Sequence, residues 1–287
     1  MSYKGWLLFL AVLPVVLILW FVYKKDKEKE PISLLIGFFI LGIVSCFLVI
    51  NVSSILGIFL PFMNKELTEM SFFEVFLYAF IGVALTEELC KWVMVYFKGY
   101  NHREFDELYD ILVYSIFVSL GFAFFENLLY VFNSGTIQIA LLRAVSAIPG
   151  HACDAVFMGY YLSLAKKCKT MGKSEKEKKY LWLSVLIPAI LHGIYDFCLM
   201  AGIGILVIVF LVFVVYLYII SIKKLNKLSN VSKNASAKKE QFNNNQSMHA
   251  QQVQYQNNIP QPQNLFCTNC GERLTGIFCT KCGVKSE

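Results

Sequence analysis

FFEVFLYAFIGVALTEELCKWVMVYF, residues 72–97, is long enough as a helix to cross a bilayer, yet it carries Glu87, Glu88 and Lys91 in its second half. A helix rises about 1.5 Å per residue, so about 20 apolar residues span the hydrocarbon core. Outward from this stretch the chain repeats the pattern. Apolar blocks also occupy residues 5–23, 32–50, 110–132, 136–165, 180–200 and 203–222. These seven spans predict an all-α polytopic membrane protein. The composition agrees: 57% of residues are apolar and 16% charged, with a mean hydropathy of +0.56. Soluble domains carry about 45–50% and about 25%. An ordinary soluble enzyme, a secreted disulfide scaffold and a disordered chain are therefore excluded as overall descriptions. The first block is not a signal peptide, because its apolar run is too long, its Lys cluster follows it and no small-residue cleavage site appears. Residues 51–63 stay apolar past Asn51-Val52-Ser53-Ser54 and are expected to form a short interfacial or re-entrant piece.

Basic residues set the orientation. The segments after spans one, three, five and seven hold 16 Lys or Arg, including seven Lys within 166–179. The opposite side holds only Lys4 and Lys65. The bias predicts a multi-pass protein of the cell membrane with its N-terminus outside and its C-terminal tail cytoplasmic.

Charges inside spans are costly, so each is a candidate for function. Here they cluster: Glu87, Glu88 and Lys91 in the third span, Glu126 in the fourth, Arg143, His151 and Asp154 in the fifth, His192 and Asp196 in the sixth. Counted from one membrane face, Glu87, His151 and His192 fall at similar depth, with Glu126 somewhat nearer the other face and level with Arg143. Helical spacing pairs Glu87 and Glu88 with Lys91, His151 with Asp154, and His192 with Asp196. An acid beside an imidazole can fix its tautomer, as at metal and general-base sites. Glu87, Glu88, Glu126, His151 and His192 are the candidate catalytic residues. Lys91, Arg143, Asp154 and Asp196 are expected in supporting roles. Three readings compete: a hydrolase, a proton- or ion-coupled transporter or sensor, and a non-catalytic scaffold held by intramembrane ion pairs. No internal repeat is evident, which counts against a two-fold transporter.

The ordered set Glu87-Glu88-x-x-Lys91, Phe122-x-x-x-Glu126, Arg143 followed by His151, and His192-Gly193-x-x-Asp196 resembles the PrsW-type intramembrane proteases, relatives of the type II CAAX prenyl endopeptidases. The resemblance covers about residues 70–200 and leaves out the first two spans and the tail. It implies a bacterial endopeptidase acting on a membrane-embedded protein substrate in the lipid bilayer, with anti-sigma factors as the expected class. The residues suit such chemistry. A carboxylate can serve as general base. Imidazoles can donate to an oxyanion, and His151, His192 and Glu126 could instead ligate a catalytic Zn²⁺. The sequence leaves the metal-dependent and glutamate-based mechanisms both open. It contains no His-Glu-x-x-His motif. Cys90 and Cys153 read as small buried hydrophobes.

Beyond the last span the composition changes. Residues 1–228 form the membrane domain, and 229–264, rich in Asn, Gln, Ser and Lys, read as a disordered linker. Residues 265–287 hold Cys267-x-x-Cys270-Gly271 and Cys279-x-x-Cys282-Gly283, the spacing of a Cys₄ zinc ribbon. A module this small has no core of its own, so structural Zn²⁺ would supply its folding energy. With only Arg273, Lys281 and Lys285 as bases, nucleic acid is not the expected partner. A cytoplasmic protein is.

Overall fold

A computed structural model of the chain describes residues 2–257 and 266–285. It forms helices α1 (Tyr3–Lys25), α2 (Ile32–Phe59), α3 (Phe72–Leu77), α4 (Thr86–Gly99), α5 (Asp110–Ser134), α6 (Ile137–Val145), α7 (Ala147–Thr170), α8 (Ser174–Met200) and α9 (Gly204–Asn257). The described residues contain no strand, only two isolated bridges near the C-terminus. Two compact units are present, Met1–Ala235 and Ser236–Glu287.

Six helical runs among the described residues are long and apolar enough to cross a membrane. Residues 72–97 are not counted among these six, because they carry Glu74, Glu87, Glu88 and Lys91 and are not one uninterrupted α-helix. The chain is helical from Phe72 to Gly99, but Tyr78–Leu85 is wound as a π-helix between α3 and α4. Thr86 Oγ1 donates to the Ile81 carbonyl across this wider turn. Such insertions cluster at functional sites because the extra residue re-aims the next turn. Here that turn carries Glu87 and Glu88.

Three further boundaries differ from expectation. The second span does not stop at residue 50. Helix α2 runs on to Phe59, and only Pro61–Asn64 and Leu67–Glu69 form short 3₁₀ turns. Asn51 Nδ2 donates to the Phe47 carbonyl and Ser54 Oγ to that of Ile50, so the polar residues that suggested an interruption bond within the helix. The fifth span is broken at Ser146 into α6 and α7. Tyr218 Oη donates to the Val145 and Ser146 carbonyls, and Pro149 lies in the first turn of α7, where its missing N–H costs little. Finally, the stretch read as a linker is helical through Asn257. Residues 229–257 contain neither Gly nor Pro, so nothing in them stops a helix once begun. The remainder, 258–264, lies outside the described residues.

Helix α5 is central: 78% of its apolar window is buried, against 17% for α9. Close packing on α5 depends on glycine. A Cβ on Gly121 would overlap the Phe39 carbonyl of α2, and one on Gly42 the Val118 carbonyl of α5. Small residues of this kind let membrane helices approach backbone to backbone.

Candidate active site

The site is assembled from α4, α5, α7 and α8 together with Arg143 of α6. Lys91, fully buried, is its hub. Its ammonium donates to Glu88 Oε1 at 2.8 Å and to Glu87 Oε2 at 3.2 Å, three and four residues earlier in the same helix. It also reaches His151 Nδ1 of α7 at 3.2 Å. The same Nζ stands 4.0 Å over the Phe122 ring of α5. His151 Nδ1 therefore accepts, and Nε2–H donates to Glu126 Oε2 at 3.0 Å. Arg143 Nη2 donates to the same carboxylate at 2.8 Å.

His192 faces a different set. Its Nδ1 lies 3.0 Å from Glu88 Oε1, and its Nε2 lies 3.4 Å from Asp196 Oδ2 and 4.0 Å from Glu87 Oε2. The two imidazoles meet edge to face with centroids 5.2 Å apart. Position on the helix is fixed from behind: a Cβ on Gly193 would press to 2.5 Å of the Phe80 ring in the π-helical stretch. Ser119 Oγ likewise ties α5 to the His151 carbonyl at 2.8 Å.

The predicted residues thus come together, but not always in the predicted pairs. His151 does not bond its own-helix neighbour Asp154. The Asp154 carboxylate turns toward His192, 4.0 Å away, and its Oδ1 has no hydrogen-bond partner although buried. Arg143 serves Glu126, the acid at its own depth. Glu87 and Glu88 both bond Lys91, yet their positions differ. A cavity of about 100 Å³ is lined by Glu87, Glu126, Arg143, His151, His192 and Asp196, among others, whereas Glu88 and Lys91 lie behind its wall.

Sequence reasoning missed several participants. Asn127 accepts from Arg143 Nε at 2.8 Å, and Arg143 stacks at 4.0 Å on the Tyr130 ring. Tyr78 and Tyr195 line the cavity, and Tyr195 Oη donates to Ser146 Oγ at the α6–α7 break. Tyr195 and Asn127 adjoin motif residues, but uncharged polar groups in a span carry no signal as strong as a charge.

One atom each from Glu87, Glu88, His151 and His192 can be chosen so that all lie within 4.8 Å of one another. Two imidazoles and two carboxylates are a donor set suited to a zinc-type ion. Glu126, expected as a ligand beside His151 and His192, is not in that group, and its Oε2 lies 3.0 Å from His151 Nε2. A second converging set is Cys267, Cys270, Cys279 and Cys282.

The family described as PrsW family intramembrane metalloprotease matches residues 30–220. The match begins at α2, so that helix belongs to the family region although the motifs alone left it out. Proteins named Protease PrsW are similar to the chain: that of Oceanobacillus iheyensis is 40% identical over 190 residues, covering 66% of this chain and 80% of its own. Those of Geobacillus kaustophilus and Bacillus subtilis are 38% and 34% identical, each over 192 residues and 67% of this chain, covering 78% and 81% of their own lengths. No solved structure matches. The chain is a multi-pass membrane peptidase and belongs to the PrsW family of intramembrane metalloproteases.

Proposed function

We propose that Glu87 is the general base of peptide-bond hydrolysis in a membrane-embedded protein, with an anti-sigma factor as the substrate class. The observation that carries the assignment is exposure to the cavity: Glu87 lines it and Glu88 does not. In this reading Glu87 takes a proton from water as the water oxygen attacks the scissile carbonyl. The proton then passes to the leaving nitrogen as the C–N bond breaks. His192, held by Glu88 and Asp196, is placed to donate to the developing oxyanion, and His151, whose two ring nitrogens are engaged by Lys91 and Glu126, does the same by releasing Nε2–H from Glu126. Arg143 fixes Glu126 and, through it, the ring of His151. A divalent ion held by His151, His192 and the Glu87–Glu88 pair would supply Lewis-acid polarisation when bound.

Three companion assignments belong to the same reading. Zinc in the Cys267, Cys270, Cys279, Cys282 ribbon is structural, and the ribbon docks a cytoplasmic protein. The N-terminus is outside and the tail cytoplasmic, on the 16-to-2 bias of Lys and Arg. The membrane domain, 1–228, carries the catalysis.

The test is cleavage of candidate single-span substrates by the purified chain, with and without chelator, read by mass spectrometry of the fragments. Glu87→Gln keeps the shape and removes the base, which costs about 10²–10⁴ in rate. His151→Ala and His192→Ala are expected to fall comparably while still purifying as folded protein. Near-normal cleavage by Glu87→Gln would overturn the assignment of the base.

A further inference from the structure

At the end of α1 the chain builds a second pocket, of about 540 Å³, which shares no lining residue with the catalytic cavity. Its wall holds Trp20, Lys24, Lys25, Asp26, Lys27 and Lys233. Phe21 lines it too, and Phe21 also lines an adjoining groove of about 220 Å³. That groove is walled by Ile18 of α1, Ile116 of α5, Ala152 and Val156 of α7, and Ile222 and Leu225 of α9.

The charges in the pocket are unbalanced. Among the described residues none of Lys24, Lys25, Lys27 and Lys233 forms an ion pair with a carboxylate. Lys24 lies 5.0 Å over the Trp20 ring, and Lys25 lies 5.2 Å over Phe21 while donating to Asn226 Oδ1. Asp26 is the one acid in the wall, and only 3% of it is exposed. A basic pocket beside a tryptophan, sharing Phe21 with an apolar groove between spanning helices, matches one ligand chemistry: a negative headgroup with an acyl chain attached.

We propose that this pocket and groove form a site for an anionic phospholipid, its headgroup among Lys24, Lys27 and Lys233 and one acyl chain along α1, α7 and α9. A soluble phosphate would satisfy the lysines and leave the groove empty. The site bears on catalysis through α7. Pro149, Ala152, Cys153 and Val156 face the groove, whereas Gly150, His151 and Asp154 face the catalytic cavity. An acyl chain in the groove packs against the reverse side of the helix that carries His151.

The experiment is native mass spectrometry of the purified full chain after exchange into equimolar phosphatidylglycerol and phosphatidylcholine. Retained phosphatidylglycerol should exceed phosphatidylcholine at least ~10-fold, given that each lysine near a lipid surface contributes a factor of about 5. The triple variant Lys24→Gln/Lys27→Gln/Lys233→Gln should lose most of that preference. A matched control, Lys173→Gln/Lys176→Gln/Lys178→Gln, removes the same charge elsewhere and should keep it. Ile222→Trp fills the groove without touching a lysine and should lower phosphatidylglycerol retention several-fold, which decides the matter should the triple variant not fold. Equal retention of the two lipids by the unaltered chain overturns the proposal. So does equal loss in the control, or displacement of the lipid by glycerol phosphate at millimolar concentration. These binding readouts do not depend on the catalytic assignment. Stimulation of cleavage by phosphatidylglycerol would be a separate result that rests on both.

Discussion

Lys91 serves two carboxylates and one imidazole with a single ammonium, all inside the membrane region. Removing one member of such a buried set leaves the others as uncompensated charges, which typically costs about 3–5 kcal/mol. Lys91→Met is therefore expected to destabilise the protein by roughly that amount, measured by thermal or denaturant unfolding in detergent. Lys91→Met/Glu88→Gln should recover part of the loss, because one orphaned carboxylate goes with the ammonium. A double variant no more stable than the single one would show that the pair does not act as a unit. At this scale the sequence was informative about membership and about pairs within one helix, His151 with Asp154 excepted, and silent about contacts between helices. Glu87, Glu88, Glu126, His151 and His192 stand out because charge in an apolar span is expensive. That Lys91 reaches His151, and that Asp154 turns to His192, depends on helix rotation and crossing, which a linear spacing rule does not contain.

Elements were legible where hydrophobicity alone forms them and illegible where tertiary contacts bend them. The blocks that became α1, α5 and α8 are plain in the sequence. The π-helical stretch and the break at Ser146 are not, since the first is held by packing such as Phe80 on Gly193 and the second by Tyr195 and Tyr218 from other helices. Packing also separates glycines that look alike. Gly121→Ala would force α2 away from the Phe39 carbonyl, whereas a Cβ on Gly37 meets nothing within 4 Å. Gly121→Ala should cost about 1–3 kcal/mol or more, and Gly37→Ala should leave the melting temperature unchanged or slightly raised. Similar melting curves for both variants would remove glycine packing as the determinant of the α2–α5 contact. The loop between α1 and α2 carries a pH prediction. Burial, the largest influence, raises Asp26 from the usual 3.8 to about 6 and Glu30 from 4.5 to about 7. Glu107 adds to the rise at Asp26, and Asp26 adds to it at Glu30. The folded state thus holds these protons more tightly than the unfolded chain. The stabilisation is complete below the unfolded values of 3.8 and 4.5 and is lost as pH climbs through about 6 to 7. Melting temperature should accordingly fall between pH 5 and pH 8 by more in the parent than in Asp26→Asn/Glu30→Gln, and identical pH profiles would dismiss the loop as the source.

On the scale of the whole molecule the described residues hold two candidate metal centres of opposite character, and they can be separated by experiment. The membrane set mixes imidazole and carboxylate around a cavity, while the C-terminal set is thiol only. Each Cys-x-x-Cys turn is built alike: Gly271 N–H donates to the Cys267 carbonyl and Gly283 N–H to that of Cys279, with φ of 73° and 76° at the two glycines. Both positions lie in the left-handed region, where any other residue would be strained. The sulfurs of Cys267 and Cys282, and of Cys270 and Cys279, are 3.5 Å apart. That is far beyond a disulfide bond of about 2.05 Å, and close to the ~3.8 Å separation of thiolates arranged tetrahedrally around zinc at about 2.3 Å. Among the described residues only Leu274 joins Cys267 and Cys279 in the small buried cluster, so apolar burial there cannot fold this unit by itself. Its fold should therefore depend on the metal. Elemental analysis of the reduced full chain is expected to give one zinc per chain that disappears in Cys267→Ser/Cys270→Ser/Cys279→Ser/Cys282→Ser. Metal that persists in this variant and is lost on adding His151→Ala/His192→Ala would belong to the membrane site. Should the cysteine variant retain as much zinc as the parent, the ribbon would not be a zinc site, and the twin turns would need another source of folding energy.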